Sequence, residues 1–398
     1  MRTRIKIGIF FILFVLVNML SAQQTDGALD SLSRQTASGK YIDPASFFRF
    51  HGYVTLTYAE PQKDLRGQIL ISDVNPINGK NEGGFKNDAA LFIGGEPIDG
   101  VGTVIELHFV GNAFDPVITE AKIILSLIKA ENGQKGNLKL VAGRFWWPFG
   151  IHNDEWFSAI NRFNLISPAA MQVVPAHMNE VGVALEGVYQ FQNHFGANYV
   201  LSLGNGVSSF EMSDVVKSPS NTFDYNHDRT VTGRVGLVWN TFGHVETGVS
   251  YARGELRNAA LTADPSDPRS YKARFDATGL DLSMSLNGFG LRSYYYLSNE
   301  NLSAAPRSLL KRRGATIEPF YQFNWSGYIK SLELHARYSF ATEDTFGGRR
   351  EWRQNGIGLN VRFKNKVLFK LGYVAQNEGG LLSKLANDVI TLSLTAEF

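Results

Sequence analysis

The chain has 398 residues, of which 39 are Lys or Arg and 37 are Asp or Glu, and it contains no cysteine. Without thiols there is no disulfide framework, no cysteine-linked lipid anchor and no thiolate metal site, and the near-balance of charge offers no basic face to nucleic acid. Hydrophobic residues make up 44% and aromatics 12%, with 39 glycines but no long apolar run after Val17, a pattern that suits alternating strands better than a thick soluble core or a spanning helix.

At the N-terminus Arg2, Arg4 and Lys6 precede an apolar run over 7–17, and Ser21 and Ala22 supply small residues for cleavage. This is the three-part plan of a secretory signal. The run is too short for the roughly 20 residues of a spanning helix. Residues 1–22 are expected to be a signal peptide whose loss takes the formal net charge from +2 to about −1. Residues 23–45 are polar and are expected to form a short periplasmic segment, too short for the plug of an energised transporter.

From residue 46 onward the sequence alternates. Strands are predicted at 46–58, 86–95, 101–110, 117–128, 137–145, 180–192, 195–204, 229–240, 243–254, 273–287, 289–299, 313–326, 331–342, 351–363, 366–376 and 387–398. In the thirteenth segment Leu332, Leu334, Ala336, Tyr338 and Phe340 oppose Glu333, His335, Arg337, Ser339 and Ala341. In the last, Ile390, Leu392, Leu394, Ala396 and Phe398 form a greasy face opposite Val389, Thr391, Ser393, Thr395 and Glu397. Such period-2 strands are apolar on one side and mostly wet on the other.

The connections alternate between short turns, such as 192–194, 240–242, 287–288 and 364–365, and long loops, such as 59–85, 146–179, 205–228 and 255–272. Short turns on one side and long loops on the other are the asymmetry of an outer-membrane barrel. The expected fold is all-β: a transmembrane antiparallel β-barrel of about 16 strands over residues 46–398, in the bacterial outer membrane. The last strand resembles the terminal-Phe assembly signal of outer-membrane proteins. That resemblance makes Phe398 the candidate contact with the barrel assembly machinery. A soluble sandwich or propeller is the alternative, but no blade repeat is present.

In such a barrel the apolar stripe meets lipid and the polar stripe meets the lumen. Tyr58, Tyr189, Phe191, Trp239, Tyr251, Tyr321, Phe323, Trp325, Tyr373 and Phe398 fall near strand ends, where interfacial aromatics belong. The inward stripe collects charges of both signs, and Lys122, Glu186, Arg234, Arg292, Arg337, Arg362 and Lys370 are the expected lumen-lining residues. Charges there are tolerable only against water or partners, so a hydrated pore and a set of lumen-filling ion pairs are both open readings.

The fifth connection, 146–179, is rich in aromatics and bounded by prolines, and it has few lysines. A loop of that kind is expected to fold into the lumen and bury its aromatics against the wall. Arg144, His152, Asp154, Glu155 and Arg162 are the expected constriction residues. Arg144 has an alternative place as a strand-end residue paired with a wall carboxylate. The stretch 143–150, G-R-F-W-W-P-F-G, resembles the G-x-F-x-x-P-F-G stretch of the phosphate-selective porin O and P family, and the strand plan resembles that of general porins along the whole chain. The resemblance implies a sixteen-stranded porin, a homotrimer and a narrow eyelet formed by the loop after the fifth strand. It also implies a ladder of arginines and lysines that selects phosphate. The sequence departs from that ladder: Arg144 and Arg162, with His152 and His177, are the basic residues between Gly143 and Val181, and Asp154, Glu155 and Glu180 lie close by.

The expected function is passive diffusion of small hydrophilic solutes or ions, with inorganic anions such as phosphate among the possibilities. Outer-membrane lipid is the surrounding partner, nucleic acid is not a partner, and no cofactor or metal is expected. Two other classes stay open. An accessory β-barrel subunit of an outer-membrane complex would show the same stripes with a closed lumen. A barrel enzyme would need His and acids at the rim, and the His227-Asp228 pair is the only such neighbour pair that the sequence offers outside the fifth connection.

Overall fold

The structure, a computed structural model, describes residues 49–61, 84–110, 117–129, 136–151, 161–163, 168–174, 179–192, 194–205, 229–241, 243–257, 272–302, 309–345, 348–380 and 388–398. The expected signal peptide and periplasmic segment lie outside these residues. Sixteen strands are formed: β1 Arg49–Pro61, β2 Gly84–Ile98, β3 Val101–Val110, β4 Val117–Ile128, β5 Gly136–Trp146, β6 Asn179–Gln192, β7 Phe195–Gly204 and β8 Thr230–Trp239 make the first half. The second half is β9 His244–Arg257, β10 Lys272–Leu286, β11 Phe289–Leu302, β12 Leu309–Asn324, β13 Ile329–Thr345, β14 Gly348–Phe363, β15 Val367–Gly380 and β16 Val389–Glu397. Each strand pairs antiparallel with its sequence neighbour, and β16 returns to β1, closing the barrel with no free edge. Closure satisfies every strand in a solvent that offers no hydrogen bonds.

The alternation seen in the sequence sets the two faces. Leu334, Tyr338, Ile357, Leu371, Ile390 and Leu394 are exposed on the outside, while their strand neighbours His335, Arg337, Ser339, Lys370, Thr391 and Thr395 are buried on the inside. An apolar exterior and a polar interior are what a lipid-embedded, water-lined barrel requires. Aromatics collect at the short-turn end. Tyr189, Phe191, Phe195 and Trp239 form a chain of ring contacts with centroids 5.1, 5.2 and 5.7 Å apart. Tyr321, Phe323 and Trp325 form another, at 4.7 and 6.1 Å.

The strand limits agree with the sequence reading in the middle of the sheet and differ at the long-loop end. There β12 starts at Leu309 instead of residue 313, and β13 and β15 run on to Thr345 and Gly380. These extensions carry charge on both faces, as Lys311, Arg312 and Arg313 do in succession. They rise out of the apolar band, so hydrophobic alternation no longer marks them.

Among the described residues, no helix is long and apolar enough to cross a membrane. The main apolar cluster lies inside the barrel. It joins Trp147, Phe149, Ile151, Ala169, Ala170, Met171, Val173 and Val174 of the β5–β6 connection to Ala252, Phe275, Ala277, Tyr294, Tyr296, Ala341 and Trp352 of the wall.

Candidate pore constriction

The β5–β6 connection is held against the inner faces of β9 to β15 by packing and by a series of polar anchors. Trp147 is 2% exposed and meets Phe275 with ring centroids 6.4 Å apart. Phe149 meets Tyr296 edge-on at 5.2 Å. Gly150 adopts φ +66°, and a side chain there would collide with the Tyr296 hydroxyl, so this position accepts only glycine beside that ring. The Gly150 amide donates to Ser250 Oγ at 2.8 Å. A short 3-10 turn, Ala169–Gln172, follows. The Ala169 amide donates to Gln354 Oε1 at 3.0 Å, and the Ala170 amide donates to Ser339 Oγ at 3.0 Å. Ser298 Oγ donates to the Val173 carbonyl at 2.6 Å. Wall hydroxyls and an amide thus satisfy loop backbone that no ladder reaches.

Residues 161–163 make a second contact. Phe163 is fully buried and meets His335 edge-on at 4.6 Å, with the Arg337 guanidinium 4.3 Å from its ring centre. Arg162 Nε donates to Glu333 Oε1 at 2.9 Å, and its guanidinium lies 3.8 Å from the centre of the Phe320 ring. Asn360 Nδ2 donates to the same Glu333 oxygen at 3.2 Å. Lys370 Nζ donates to the Asn161 carbonyl at 2.6 Å. Burying one large apolar side chain is worth roughly 1.5–3 kcal/mol, against about 0–1 for an exposed ion pair. The aromatics therefore hold the segment to the wall, and the charges fix its register.

The expected inward loop is found, and its expected residues divide three ways. Arg162 faces the lumen side, but as an anchor paired to Glu333. Arg144 lies apart from Arg162, because β5 and β13 are half a barrel apart. It occupies the parity opposite to the inward Phe145 and Glu180, and its Nε and Nη2 donate to Asn179 Oδ1 at 3.2 and 3.1 Å. The strand-end alternative describes it better, with an amide in place of a carboxylate. His152, Asp154 and Glu155 lie outside the described residues, as do His177, His227 and Asp228.

All seven expected lumen-lining residues sit on the inward parity, with different surroundings. Lys122 donates to Glu120 at 2.8 Å. Glu186 stands opposite Lys139 in the ladder, and Arg292 stands opposite Glu318. Arg234 donates through Nε and Nη2 to Asp281 at 3.0 and 2.6 Å and lies 2.8 Å from Glu246. Arg362 meets Glu397 at 2.9 Å. Arg337 and Lys370 meet partners in place of open water. Both are almost fully buried beneath the loop, Arg337 against Glu318 and Phe163, and Lys370 against the Asn161 carbonyl.

Sequence reasoning did not single out the wall partners of the loop. Tyr294, Tyr296 and Trp352 are inward aromatics. The triplet Tyr294-Tyr295-Tyr296 carried the available signal, since a run of three puts aromatic rings on both faces of one strand.

Among the described residues no group of His, Asp or Glu is arranged to hold a metal ion. No protein family model and no curated protein matches this sequence. Solved structures match its fold. Outer-membrane expressed OmpT of Vibrio cholerae aligns at TM-score 0.56 and 10% identity, over 90% of this chain and 100% of that one. The anion-selective porin from Comamonas acidovorans aligns at TM-score 0.56 and 13% identity, over 88% and 99%. The outer-membrane channel DcaP of Acinetobacter baumannii aligns at TM-score 0.52 and 10% identity, over 88% and 97%. The fold is that of an outer-membrane porin. Its place is the bacterial outer membrane, in keeping with the apolar exterior and the closed ring.

Proposed function

We propose that this barrel is a passive diffusion channel for small hydrophilic solutes, narrowed between its inward loop and the opposite wall. One observation carries the reading: the loop contacts set out above are made with β9 to β15. Across the barrel from these contacts, the wall presents Lys122, Lys139 and Glu186 on its inward parity. A solute passing there would exchange part of its hydration for these side chains.

Phosphate selectivity would need cations without acidic neighbours. Arg162, Arg234, Arg312, Arg337 and Arg362 each stand against a carboxylate, which weighs toward a weakly selective channel. The homotrimer implied by the porin resemblance belongs to the same reading, and the mass of the detergent-solubilised protein tests it. The function itself is tested by single-channel recording in planar bilayers under a salt gradient. Discrete, stable openings support the channel. Repeated insertion without conductance would replace it with an accessory barrel subunit.

A further inference from the structure

The outer face carries a feature that conduction does not use. At the long-loop end of β9 to β14, the outward positions turn from apolar to basic. Arg253, Arg274, Lys311, Arg313, Arg349 and Arg353 all point away from the lumen. Arg253 follows the buried Ala252, Arg313 and Lys311 flank the buried Arg312, and Arg353 lies between the buried Trp352 and Gln354. Ladder partners link them into one row across six strands: Arg253 to Asp276, Asp276 to Asn299, Asn299 to Lys311, Lys311 to Asp344, and Asp344 to Arg349.

Charge and height define the belt. Three carboxylates, Asp276, Asp344 and Glu351, share this face; Glu351 accepts from Arg353 Nη2 at 3.1 Å, and the other two pair more loosely. Arg253 is 3.6 Å and Arg274 3.8 Å from Asp276, and Arg349 is 3.3 Å from Asp344. Six cations against three anions leave the belt positive among the described residues. Arg353 lies ten residues above Phe363, Arg313 eleven above Asn324 and Arg253 nine above His244, counted from the short-turn ends of their strands. Arg274, Lys311 and Arg349 lie twelve, thirteen and fourteen residues up, so with strands rising about 3.3 Å per residue and tilted by about 40° the belt runs from roughly 23 to 35 Å up, at and just above the top of the apolar band. Tyr251, Tyr295 and Tyr338 are exposed just below it, where an interfacial aromatic girdle belongs.

Lipid-facing charges are tolerated at headgroup height and not in hydrocarbon. Arginine forks match phosphate oxygens in pairs, which lysine alone does not do. We propose that this belt binds the phosphate groups of phosphorylated glycolipids in the outer leaflet, seating the barrel against a lipid annulus along β9 to β14. The site is external to the lumen, so the proposal stands or falls independently of conduction.

The test uses the full chain in detergent and native mass spectrometry. The probes are diphosphorylated lipid A, the same lipid with both phosphates removed, and inorganic phosphate as competitor. Wild type is expected to retain the diphosphorylated lipid at least about tenfold more strongly than the dephosphorylated one. The Lys311→Ala/Arg313→Ala double variant is expected to lose most of that difference, with heat-modifiable mobility and conductance unchanged. If that variant does not fold, the single charge-neutral Arg353→Gln variant is expected to show a smaller loss in the same direction. Equal retention of the two lipids by wild type would overturn the proposal. So would undiminished preference in folded variants, or complete displacement of the lipid by millimolar phosphate, which would mark a plain anion patch.

Discussion

Gly52 and Phe398 exchange both backbone hydrogen bonds, Gly52 N to Phe398 O at 3.2 Å and Phe398 N to Gly52 O at 3.0 Å, and the Phe398 ring lies over the glycine. A Cβ on Gly52 would stand 2.6 Å from that ring and from the Ala90 carbonyl. The seam between β1 and β16 continues upward through Thr55 with Thr395 at 2.8 Å and Thr57 with Ser393 at 2.7 Å. Deleting Phe398 removes two backbone bonds, worth about 2 kcal/mol together, and an interfacial ring. We expect deletion to lower the heat-modifiable, folded fraction in outer membranes sharply. Phe398→Ala keeps the ladder and should do less, and Gly52→Val should resemble the deletion. Wild-type amounts of folded barrel from the deletion variant would dismiss the seam as an assembly determinant.

Arg162 was expected as a charge in the eyelet, and its geometry makes it an anchor. Arg162→Ala leaves Glu333 with Asn360 and removes the stacking on Phe320. The pair is part-buried, so losing it costs less than the roughly 3–5 kcal/mol of a fully buried pair, but with the Phe320 contact also gone the 161–163 segment should detach for part of the time. Single-channel traces should then show added open-state noise, with little change in reversal potential. A clean trace with a strongly shifted reversal potential would return Arg162 to the role of selectivity residue. Phe163→Ala should give the same noise without altering any charge.

The 3-10 turn is fixed more firmly. Ala170 donates to Ser339, and its backbone packs on β12 at Gly314. The chain has no cysteine, so an Ala170→Cys/Ser339→Cys pair gives an unambiguous cross-link, provided that the two positions meet disulfide geometry. We expect oxidation to form the bond readily and to leave conductance within the wild-type range, because the turn already sits there. A conductance that falls on oxidation and recovers on reduction would mean that this turn moves during permeation.

Most of the barrel was legible because lipid and water impose opposite demands on successive residues. Leu334 and His335, or Ile390 and Thr391, could not exchange faces without putting charge in hydrocarbon or wasting a greasy side chain on the lumen. Where that contrast ends, the reading fails. The upper part of β12 is charged on both faces, so its start at Leu309 left no periodic trace. The site was read less well for a related reason. Alternation says that Arg337 and Lys370 point inward, but a loop distant in sequence decides whether they meet water or the Asn161 carbonyl and the Phe163 ring. Arg144 shows the same limit. Its placement at the end of β5, across the barrel from Arg162, depends on which wall the loop chooses.

The wall across the barrel from the described loop contacts is where a charge change should be felt by a passing ion. Glu186 stands opposite Lys139 in the β5–β6 ladder, and both are partly exposed on the inward face. At about 6 Å in a water-like medium, one unit charge changes an ion's energy by roughly 0.7 kcal/mol, about threefold in local concentration. Glu186→Lys changes two units and should move the reversal potential toward anions. Lys139→Glu should move it toward cations by a similar amount. Both shifts should shrink as salt rises and the Debye length shortens from about 10 Å at 0.1 M to about 3 Å at 1 M. Identical reversal potentials in wild type and both variants at low salt would mean that permeating ions do not pass this wall, and the route between loop and wall would have to be abandoned.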